Sequence, residues 1–371
     1  MIKVQGKRVL NELSAYKQGM QISEVKRNYN LDKIVKLASN ENPYGFSDRV
    51  KEELNIGGHA FELYPDGYAG DLRTKVANKL VVQPDQLVFG AGSDEVITFI
   101  CRAYLSEGTN TVMATPTFSQ YRHHSLIEGA EVREIPTVNG KHDLSKMAEA
   151  IDKQTKVVWL CSPDNPSGEL IQQEAFALFM EQCPQDVLVV LDEAYYEYVP
   201  YSFQLNLNES LEKYPNLVVL RTFSKIYGLA GLRVGYGVAS EEIAEKLNIV
   251  RGPFNTTSIA QKAVQIAIDD DEFVATTKKL NLEVKNTFKA FLDELGWEYY
   301  ESFTNFLLVK TPIDADKTSH YLLKHGFIVR SGNLLGYPNT IRITIGVEED
   351  MNDLQEVLKQ FQKDIDEEVV K

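Results

Sequence analysis

The amino-acid sequence predicts an α/β protein with a mostly parallel central sheet in a large domain and a smaller α+β domain. Through the first two thirds of the chain, short runs rich in Val, Ile and Leu alternate with segments of helical period. Several of these runs are continuously apolar, which indicates strands covered on both faces, as in parallel sheets. Beyond about Asn255, charged helical segments separate short strands, and this change of texture indicates the second unit.

The elements of the large domain follow from the apolar runs and the turn residues between them. A strand at 87–89 leads through a Gly-rich turn into a helix from about Ser93 to Tyr104. We predict the further strands at 111–114, 132–135, 156–161, 187–192, 218–221 and 233–238.

The remainder of the chain predicts a different arrangement. A helix begins near Thr257, a long charged helix covers 271–295, and short strands lie near 306–309, 328–330 and 341–345. Residues 364–370 are expected to be frayed. We therefore predict an N-terminal arm (1–39) that packs with the small domain, a large domain (40–255) and a small C-terminal domain (256–371).

Length, charge and cysteine content narrow the class of protein. The 371 residues suffice for two domains of about 150 residues. Lys and Arg number 39 against 53 Asp and Glu, a net charge of −14, which disfavours nucleic acid and anionic membranes as main partners. The three cysteines form no CxxC pair, no run is long enough to span a membrane, and the start lacks a signal-peptide core. We expect a cytoplasmic protein.

A lysine after the predicted strand 218–221 is the first indication of chemistry. Lys225 lies between Phe223 and Ile226 in a loop rich in hydroxyl and glycine residues. Partial burial there would lower its pKa and favour the neutral amine that forms Schiff bases. For a lysine taken alone, a stem on apolar surface with its head in water is the commoner arrangement.

Other polar groups follow strands that are expected to end at the same edge of the sheet. Asp192 ends the run 187–191, Tyr195 comes three residues later, and Asn165 lies in a turn-rich loop after another strand. Open α/β sheets bind ligands at the carboxyl ends of their strands. Gly92, Ser93 and Asp94 form a turn before a helix, where backbone amides and the helix N-terminus favour an anion.

One ligand has a group for each of these features. It needs a carbonyl for Lys225, a pyridine nitrogen for Asp192, and a phenolic oxygen for Asn165 and Tyr195. It also needs a phosphate for the Gly-rich turn together with Thr222, Ser224 and Arg233. Pyridoxal 5'-phosphate has all four groups. The turn itself has neither the GK[ST] ending of a nucleotide P-loop nor the GxGxxG spacing of a dinucleotide fold.

The motifs that carry these residues resemble those of the fold-type-I pyridoxal-phosphate-dependent aminotransferases. They read GSDE at 92–95, SPDNPSG at 162–168, LDEAY at 191–195 and SKIYGLAGLR at 224–233. Finer markers at 37–43, 64–67, 116–121, 328–332 and 341–346 are most similar to the histidinol-phosphate aminotransferases. The resemblance runs the length of the chain.

The resemblance implies transfer of an amino group between L-histidinol phosphate and 2-oxoglutarate or glutamate, in histidine biosynthesis. Lys225 would bind the cofactor and carry the proton of the reaction, and Asp192 would keep the pyridine nitrogen protonated. Tyr195 and Asn165 would bond the phenolic oxygen, and Phe118 would stack on the ring. The cofactor phosphate would contact Gly92, Ser93, Asp94, Thr222, Ser224 and Arg233.

The resemblance also implies residues for the substrate. Arg342 is the best candidate, because a guanidinium suits two-point recognition of a carboxylate or phosphate. The resemblance also implies that Asn165 binds substrate, and Arg330 either assists or forms a salt bridge that closes the domains. Tyr16 and Tyr64 would reach the substrate phosphate, although Tyr16 equally suits a hydrophobic staple in the arm. Tyr64 would come from a neighbouring subunit, which implies a homodimer.

Some alternatives stay open at this point. Asp164 and Ser167 stand where relatives usually have Asn and Thr. An aromatic amino acid aminotransferase, as the main or as a second activity, and a decarboxylase of a phosphorylated amino acid share the same cofactor motifs. A ligand-sensing module of a transcription factor is disfavoured by the acidic charge. The six histidines show no ligand spacing, so we expect no metal.

Overall fold

A computed structural model of the chain describes residues 4–15, 20–29, 31–57 and 60–369. Tyr16, one of the predicted substrate residues, lies outside the described residues. The strands are β1 (Val35–Lys36), β2 (Leu87–Gly90), β3 (Asn110–Thr115), β4 (Glu131–Pro136), β5 (Thr155–Cys161), β6 (Leu188–Asp192), β7 (Leu217–Thr222), β8 (Gly235–Val238), β9 (Phe306–Lys310), β10 (Phe327–Ile328), β11 (Arg330–Ser331) and β12 (Thr340–Thr344).

The helices alternate with these strands along much of the chain. They are α1 (Ile22–Tyr29), α2 (Asp48–Ile56), α3 (Gly70–Leu80), α4 (Ser93–Tyr104), α5 (Gln120–Ile127), α6 (Leu144–Glu149), α7 (Gln173–Gln182), α8 (Leu207–Lys213), α9 (Glu241–Val250), α10 (Ser258–Ala267), α11 (Asp271–Leu295), α12 (Ala315–Lys324) and α13 (Glu348–Val369). The predicted helices at 93–104 and 271–295 have the bounds of α4 and α11. The Asp270 side chain caps α11 by accepting from Phe273 N, and Gly296 ends it with φ at 75°.

The central sheet has the order β2-β8-β7-β6-β5-β3-β4. β8 is antiparallel to both β2 and β7, and the other neighbouring pairs are parallel. Successive residues of β5 face opposite cores: Val157 and Trp159 pack with α4, while Val158 and Leu160 pack with α7. The continuously apolar runs therefore arise because helices cover both faces. The predicted α/β fold class is confirmed.

A second sheet of three antiparallel strands has the order β11-β12-β9. Phe288 of α11, Leu322 of α12 and Leu354 of α13 belong to one core with the inward residues of β9 and β12. In this sheet Arg330 of β11 lies opposite Arg342 of β12. The two arginines predicted at the substrate are thus neighbours across the ladder.

The predicted strand at 328–330 is two separate strands. β10 pairs in parallel with β1, and Leu37 N donates to Ile328 O at 2.7 Å. β11 pairs instead with β12. The prediction of one strand was wrong because the chain passes from one sheet to another at Val329. A short run of apolar residues does not reveal such a change of sheet.

The N-terminal residues contact two separate parts of the chain. β1 pairs with β10, and Val25 and Ala38 share a small core with Ile328. Lys7 Nζ donates to Ile127 O at 2.8 Å, at the end of α5. The domain boundaries at 39/40 and 255/256 stay predictions.

Two local predictions were wrong. Residues 364–369 are not frayed but continue α13, because Phe361 and Ile365 present one turn-spaced apolar face to the core of the second sheet. Arg233 is not the first residue of a strand. Its φ is 56°, a left-handed conformation, and β8 begins only at Gly235.

Candidate active site

The predicted site residues converge at the carboxyl ends of the central strands. β5, β6 and β7 are parallel neighbours, with Cys161 opposite Asp192 and Asp192 opposite Leu220. The loops that follow these strands carry Asn165, Tyr195 and Lys225. Segments far apart in the sequence therefore meet because parallel strands end at one edge.

Lys225 lies at this edge of the sheet, and the pKa of its amine is lowered. Its Nζ is 3.5 Å from Ser39 O and 5.6 Å from the centre of the Tyr195 ring. Burial, and then the positive charge of Arg342, lower the pKa of Lys225 from 10.5 to about 8. A larger fraction of this amine is therefore neutral and nucleophilic near neutral pH than of a lysine with the ordinary pKa.

Gly228 permits the tight loop that carries Lys225. Its φ is 70°, and a Cβ there would lie 1.8 Å from Gly45 O. Gly228 N donates to Lys225 O at 2.9 Å, which closes the turn. A larger residue would push the loop off residue 45 and shift the lysine with it.

Asp192 is buried and has a partner that the sequence did not reveal. Tyr121 Oη donates to Asp192 Oδ2 at 2.7 Å, and Ala194 N donates to Oδ1 at 3.1 Å. The Tyr121 ring is fully buried and stacks on Trp159 with 4.8 Å between ring centres. Burial raises the pKa of Asp192 to about 6, while the Tyr121 hydrogen bond opposes that rise.

Removing this hydrogen bond should shift the titration of Asp192. Tyr121→Phe should raise the pKa of Asp192 above about 6, by about one further pH unit, because the bond stabilises only the carboxylate form. Carboxyl-labelled NMR of the cofactor-free protein measures this pKa, with Asp192→Asn assigning the signal. Tyr104→Phe is the control, since Tyr104 Oη has no hydrogen-bond partner among the described residues. An unchanged pKa in Tyr121→Phe would contradict this account.

Tyr195 is held by a second residue that we did not predict in the site. Asn40 Nδ2 donates to Tyr195 Oη at 2.8 Å, and both side chains are buried. Asn40 has φ at 57°, and its Oδ1 accepts from Thr344 Oγ1 at 3.0 Å. Burial raises the pKa of Tyr195, so its phenol stays neutral and can donate a hydrogen bond. The motif at 37–43 was the only sequence signal for Asn40.

The Gly-rich turn forms a cradle for an anion at the start of α4. Gly92 has φ at 83°, and a Cβ there would lie 2.4 Å from Arg233 Nη2. Arg233 Nη1 donates to Ser224 Oγ at 3.2 Å, and Ser224 N donates to Thr222 Oγ1 at 3.1 Å. Ser93 and Asp94 open α4 beside this guanidinium, with Asp94 Oδ2 3.9 Å from Arg233 Nη2. A helix N-terminus, a guanidinium and two hydroxyls are the donors that phosphate prefers.

Arg342 joins the second sheet to this edge. Its Nη1 donates to Asn165 Oδ1 at 2.5 Å and its Nη2 donates to Ala38 O at 2.8 Å. The guanidinium lies 5.2 Å from the centre of the Phe306 ring, and the side chain is buried. It is thus held in one orientation, as two-point recognition of an anion requires.

The structure places the other predicted residues as follows. Phe118 is half-buried and meets the Tyr121 ring edge to face at 5.5 Å. Arg330 lies across the ladder from Arg342. Tyr64 stacks on Phe254 and is 83% exposed, so the described residues leave most of its side chain uncovered.

A metal-binding cluster and a membrane-spanning helix are both absent from residues 4–15, 20–29, 31–57 and 60–369. These ranges hold no group of three or more His, Cys, Asp and Glu side chains arranged for a metal ion. They also hold no helix with the length and hydropathy needed to cross a bilayer. All three cysteines are buried free thiols.

Comparison with known proteins identifies the family. The family model described as "Aminotransferase class I and II" matches residues 32–360. The chain belongs to this family. Histidinol-phosphate aminotransferase 2 of Oceanobacillus iheyensis is 53% identical to this aminotransferase chain over 363 residues, which cover 98% of the chain and 100% of the relative. The histidinol-phosphate aminotransferase of a Geobacillus species is 50% identical over 355 residues, 96% of the chain and 97% of the relative.

Solved structures agree with the fold of this aminotransferase. Histidinol-phosphate aminotransferase from Sinorhizobium meliloti, in complex with pyridoxal 5'-phosphate, has a TM-score of 0.89 at 24% identity and covers 97% of the chain and 98% of its own. L-threonine-O-3-phosphate decarboxylase from Porphyromonas gingivalis has a TM-score of 0.79 at 24% identity, covering 89% of the chain and 100% of its own. The predicted resemblance is confirmed at the level of family and fold.

Proposed function

We propose that this protein is a pyridoxal-phosphate-dependent transaminase that moves an amino group between L-histidinol phosphate and 2-oxoglutarate. The observation that carries the proposal is the low-pKa amine of Lys225 at the same sheet edge as Asp192, Tyr195 and the anion cradle. Identities of about 50% to histidinol-phosphate aminotransferases over nearly the whole chain support the substrate. The reaction belongs to histidine biosynthesis.

The chemistry of the donor set fits the cofactor. The cradle of Gly92, Ser93, Thr222, Ser224 and Arg233 would hold the phosphate, and the lack of a Cβ at Gly92 leaves room for Arg233 to approach it. Asp94 would contribute its backbone at the start of α4. When bound, the cofactor supplies the aldehyde that takes up the substrate amine and a ring that accepts electrons.

The chain's own groups have separate tasks in this proposal. Lys225 Nζ, whose lowered pKa makes the neutral amine accessible, would hold and move the proton at the substrate Cα. Asp192 would hold a proton on the pyridine nitrogen, because a buried carboxylate favours a neighbouring positive charge. Tyr195 Oη and Asn165 Nδ2 would donate to the phenolic oxygen. Phe118 would cover one face of the ring and exclude water.

Arg342 would bind the negative group of either substrate. A transaminase of this kind takes glutamate and a phosphate ester in turn, and a guanidinium binds a carboxylate or a phosphate with two parallel hydrogen bonds. Arg330 and Tyr16 would assist at the substrate's anionic end. A second anion in this region is favourable because Arg342 adds positive charge beside Lys225.

The protein would act as a homodimer in the cytoplasm. Leu63, Tyr64, Tyr68 and Phe254 are exposed large side chains close together in the chain or in space, and Tyr64 stacks on Phe254. Such side chains suit the core of an interface between subunits. Tyr64 would then reach the neighbouring subunit's substrate. Three buried free thiols are in keeping with a reducing compartment.

A panel of amino donors tests the proposed substrate. With 2-oxoglutarate as acceptor, kcat/KM for L-histidinol phosphate should exceed that for phenylalanine and tyrosine by about 100-fold or more, because neither amino acid carries a phosphate for the groups proposed at the substrate's anionic end. Unphosphorylated histidinol is the matched control for the phosphate. Equal rates with the aromatic amino acids would indicate an aromatic aminotransferase. Release of carbon dioxide from a phosphorylated amino acid without any keto acid would indicate a decarboxylase.

A further inference from the structure

Asp164 is a buried carboxylate to which the proposed function assigns no task. It is 1% exposed and follows β5 directly before Asn165. Its Oδ2 accepts from Ser167 N at 3.1 Å and from Ser167 Oγ at 2.9 Å. Its Oδ1 accepts from Thr117 Oγ1 at 2.5 Å and lies 3.3 Å from His142 Nε2. Four donors thus surround one carboxylate, which satisfies it without water.

These donors join two loops of the candidate site. Thr117 precedes Phe118 in the loop after β3, and Asp164 precedes Asn165 in the loop after β5. β3 and β5 are parallel neighbours, so the two loops leave the sheet side by side. The Asp164–Thr117 hydrogen bond therefore ties together the two segments that carry Phe118 and Asn165. Asn165 is fixed in turn by Arg342 Nη1.

His142 is committed to this carboxylate. Its side chain is 1% exposed, and its Nδ1 is buried with no hydrogen-bond partner among the described residues. A buried imidazole with an unpaired nitrogen costs free energy, which the contact of Nε2 with Asp164 offsets. Because a carboxylate only accepts, Nε2 carries the hydrogen in this pair.

We propose that Asp164, held by His142, is the positioning residue that keeps Phe118 against the ring face and Asn165 against the phenolic oxygen of the cofactor. The inference rests on the proposed cofactor site. It also accounts for aspartate in place of the usual asparagine. An asparagine has one accepting oxygen and one donating NH2 group. In either orientation the NH2 group would face donors, either those of Ser167 or those of Thr117 and His142, whereas a carboxylate accepts from all of them.

Cofactor binding by alanine and amide variants tests this inference. The cofactor-free protein is titrated with pyridoxal 5'-phosphate, and the dissociation constant and the visible circular dichroism of the bound cofactor are measured. Asp164→Ala should weaken binding about tenfold or more and reduce the visible dichroism, because four donors lose their acceptor and both loops relax. Asp164→Asn and His142→Gln should change both quantities in the same direction but less.

A matched variant separates positioning from folding. Asp152 lies before β5, at its opposite end, and accepts from Asn110, Gln154 N and Arg133. Asp152→Ala should lower the Tm and leave the dissociation constant and the dichroism unchanged.

The outcomes distinguish this inference from the proposed function. Wild-type affinity and dichroism in all three variants at Asp164 and His142 would overturn the inference, whatever their Tm. If Asp164→Ala does not fold, the two volume-conserving variants decide in the same way. If the wild-type protein itself forms no lysine-bound cofactor, the proposed function fails instead.

Discussion

Lys225→Ala is expected to abolish transamination, with turnover lower by on the order of 10⁴-fold or more, and to remove the visible absorbance of lysine-bound cofactor. The reason is that, in the proposed function, Lys225 supplies both the amine that binds the aldehyde and the base at the substrate Cα. Its pKa of about 8 gives it a neutral fraction that an ordinary surface lysine lacks. Steady-state rates and absorbance after borohydride reduction measure the two effects.

Lys285 provides a matched control for this experiment. It is also buried, and burial lowers its pKa to about 7. Its Nζ donates to the carbonyl oxygens of Ser302 and Thr304 at 2.9 and 2.8 Å, neither of which belongs to a cradle residue. Lys285→Met should therefore keep the visible absorbance and lose only stability. Retention of the absorbance in Lys225→Ala, with loss in Lys285→Met, would mean that the wrong lysine has been assigned.

Asp192→Ala is expected to leave the cofactor bound to Lys225 but to depress turnover by about three orders of magnitude. Without the carboxylate, the ring nitrogen would lose its proposed negative partner, so its positive charge would be less stable and the ring would withdraw electrons less effectively. The variant also leaves Tyr121 Oη without its acceptor, which lowers the free energy of unfolding by about 1–3 kcal/mol. Single-turnover kinetics with L-histidinol phosphate measure the chemical step separately from cofactor binding.

Two further variants isolate the charge from the packing. Asp192→Asn keeps an acceptor for Tyr121 but removes the charge, so turnover should fall nearly as far as in Asp192→Ala while stability is largely restored. Tyr121→Phe in the wild-type background should change turnover far less. Near-normal turnover in Asp192→Asn would show that the carboxylate does not act on the ring nitrogen.

Local sequence patterns were sufficient for much of the fold. The strands at 111–114, 156–161 and 218–221 were predicted within one residue of β3, β5 and β7, since helices on both faces require unbroken apolar runs. Asp192, Asn165 and Lys225 were predicted to meet because each follows such a strand. The family resemblance then supplied Arg342, which lies beside Asn165.

Contacts between distant segments were not predictable from those patterns. Tyr121 and Asp192 are 71 positions apart, and Asn40 and Tyr195 are 155 apart. Each pair is formed by one hydrogen bond, which leaves no period or spacing in the sequence. The passage of the chain from β10 to β11 was missed for the same reason. Ile328 pairs with a strand near the N-terminus, whereas Arg330 pairs with a strand that follows it in the chain.

The hydrogen bond between Arg342 and the carbonyl of Ala38 can form only late in the synthesis of the chain. It joins positions 304 apart, and Asn40 and Thr344 make a second bond over the same separation. During synthesis the loops that bear Asn165, Asp192 and Lys225 leave the ribosome well before Arg342 does. The arginine proposed to bind the substrate anion is consequently the last member of the site to arrive, and a nascent chain that stops short of residue 342 has the lysine but lacks this arginine.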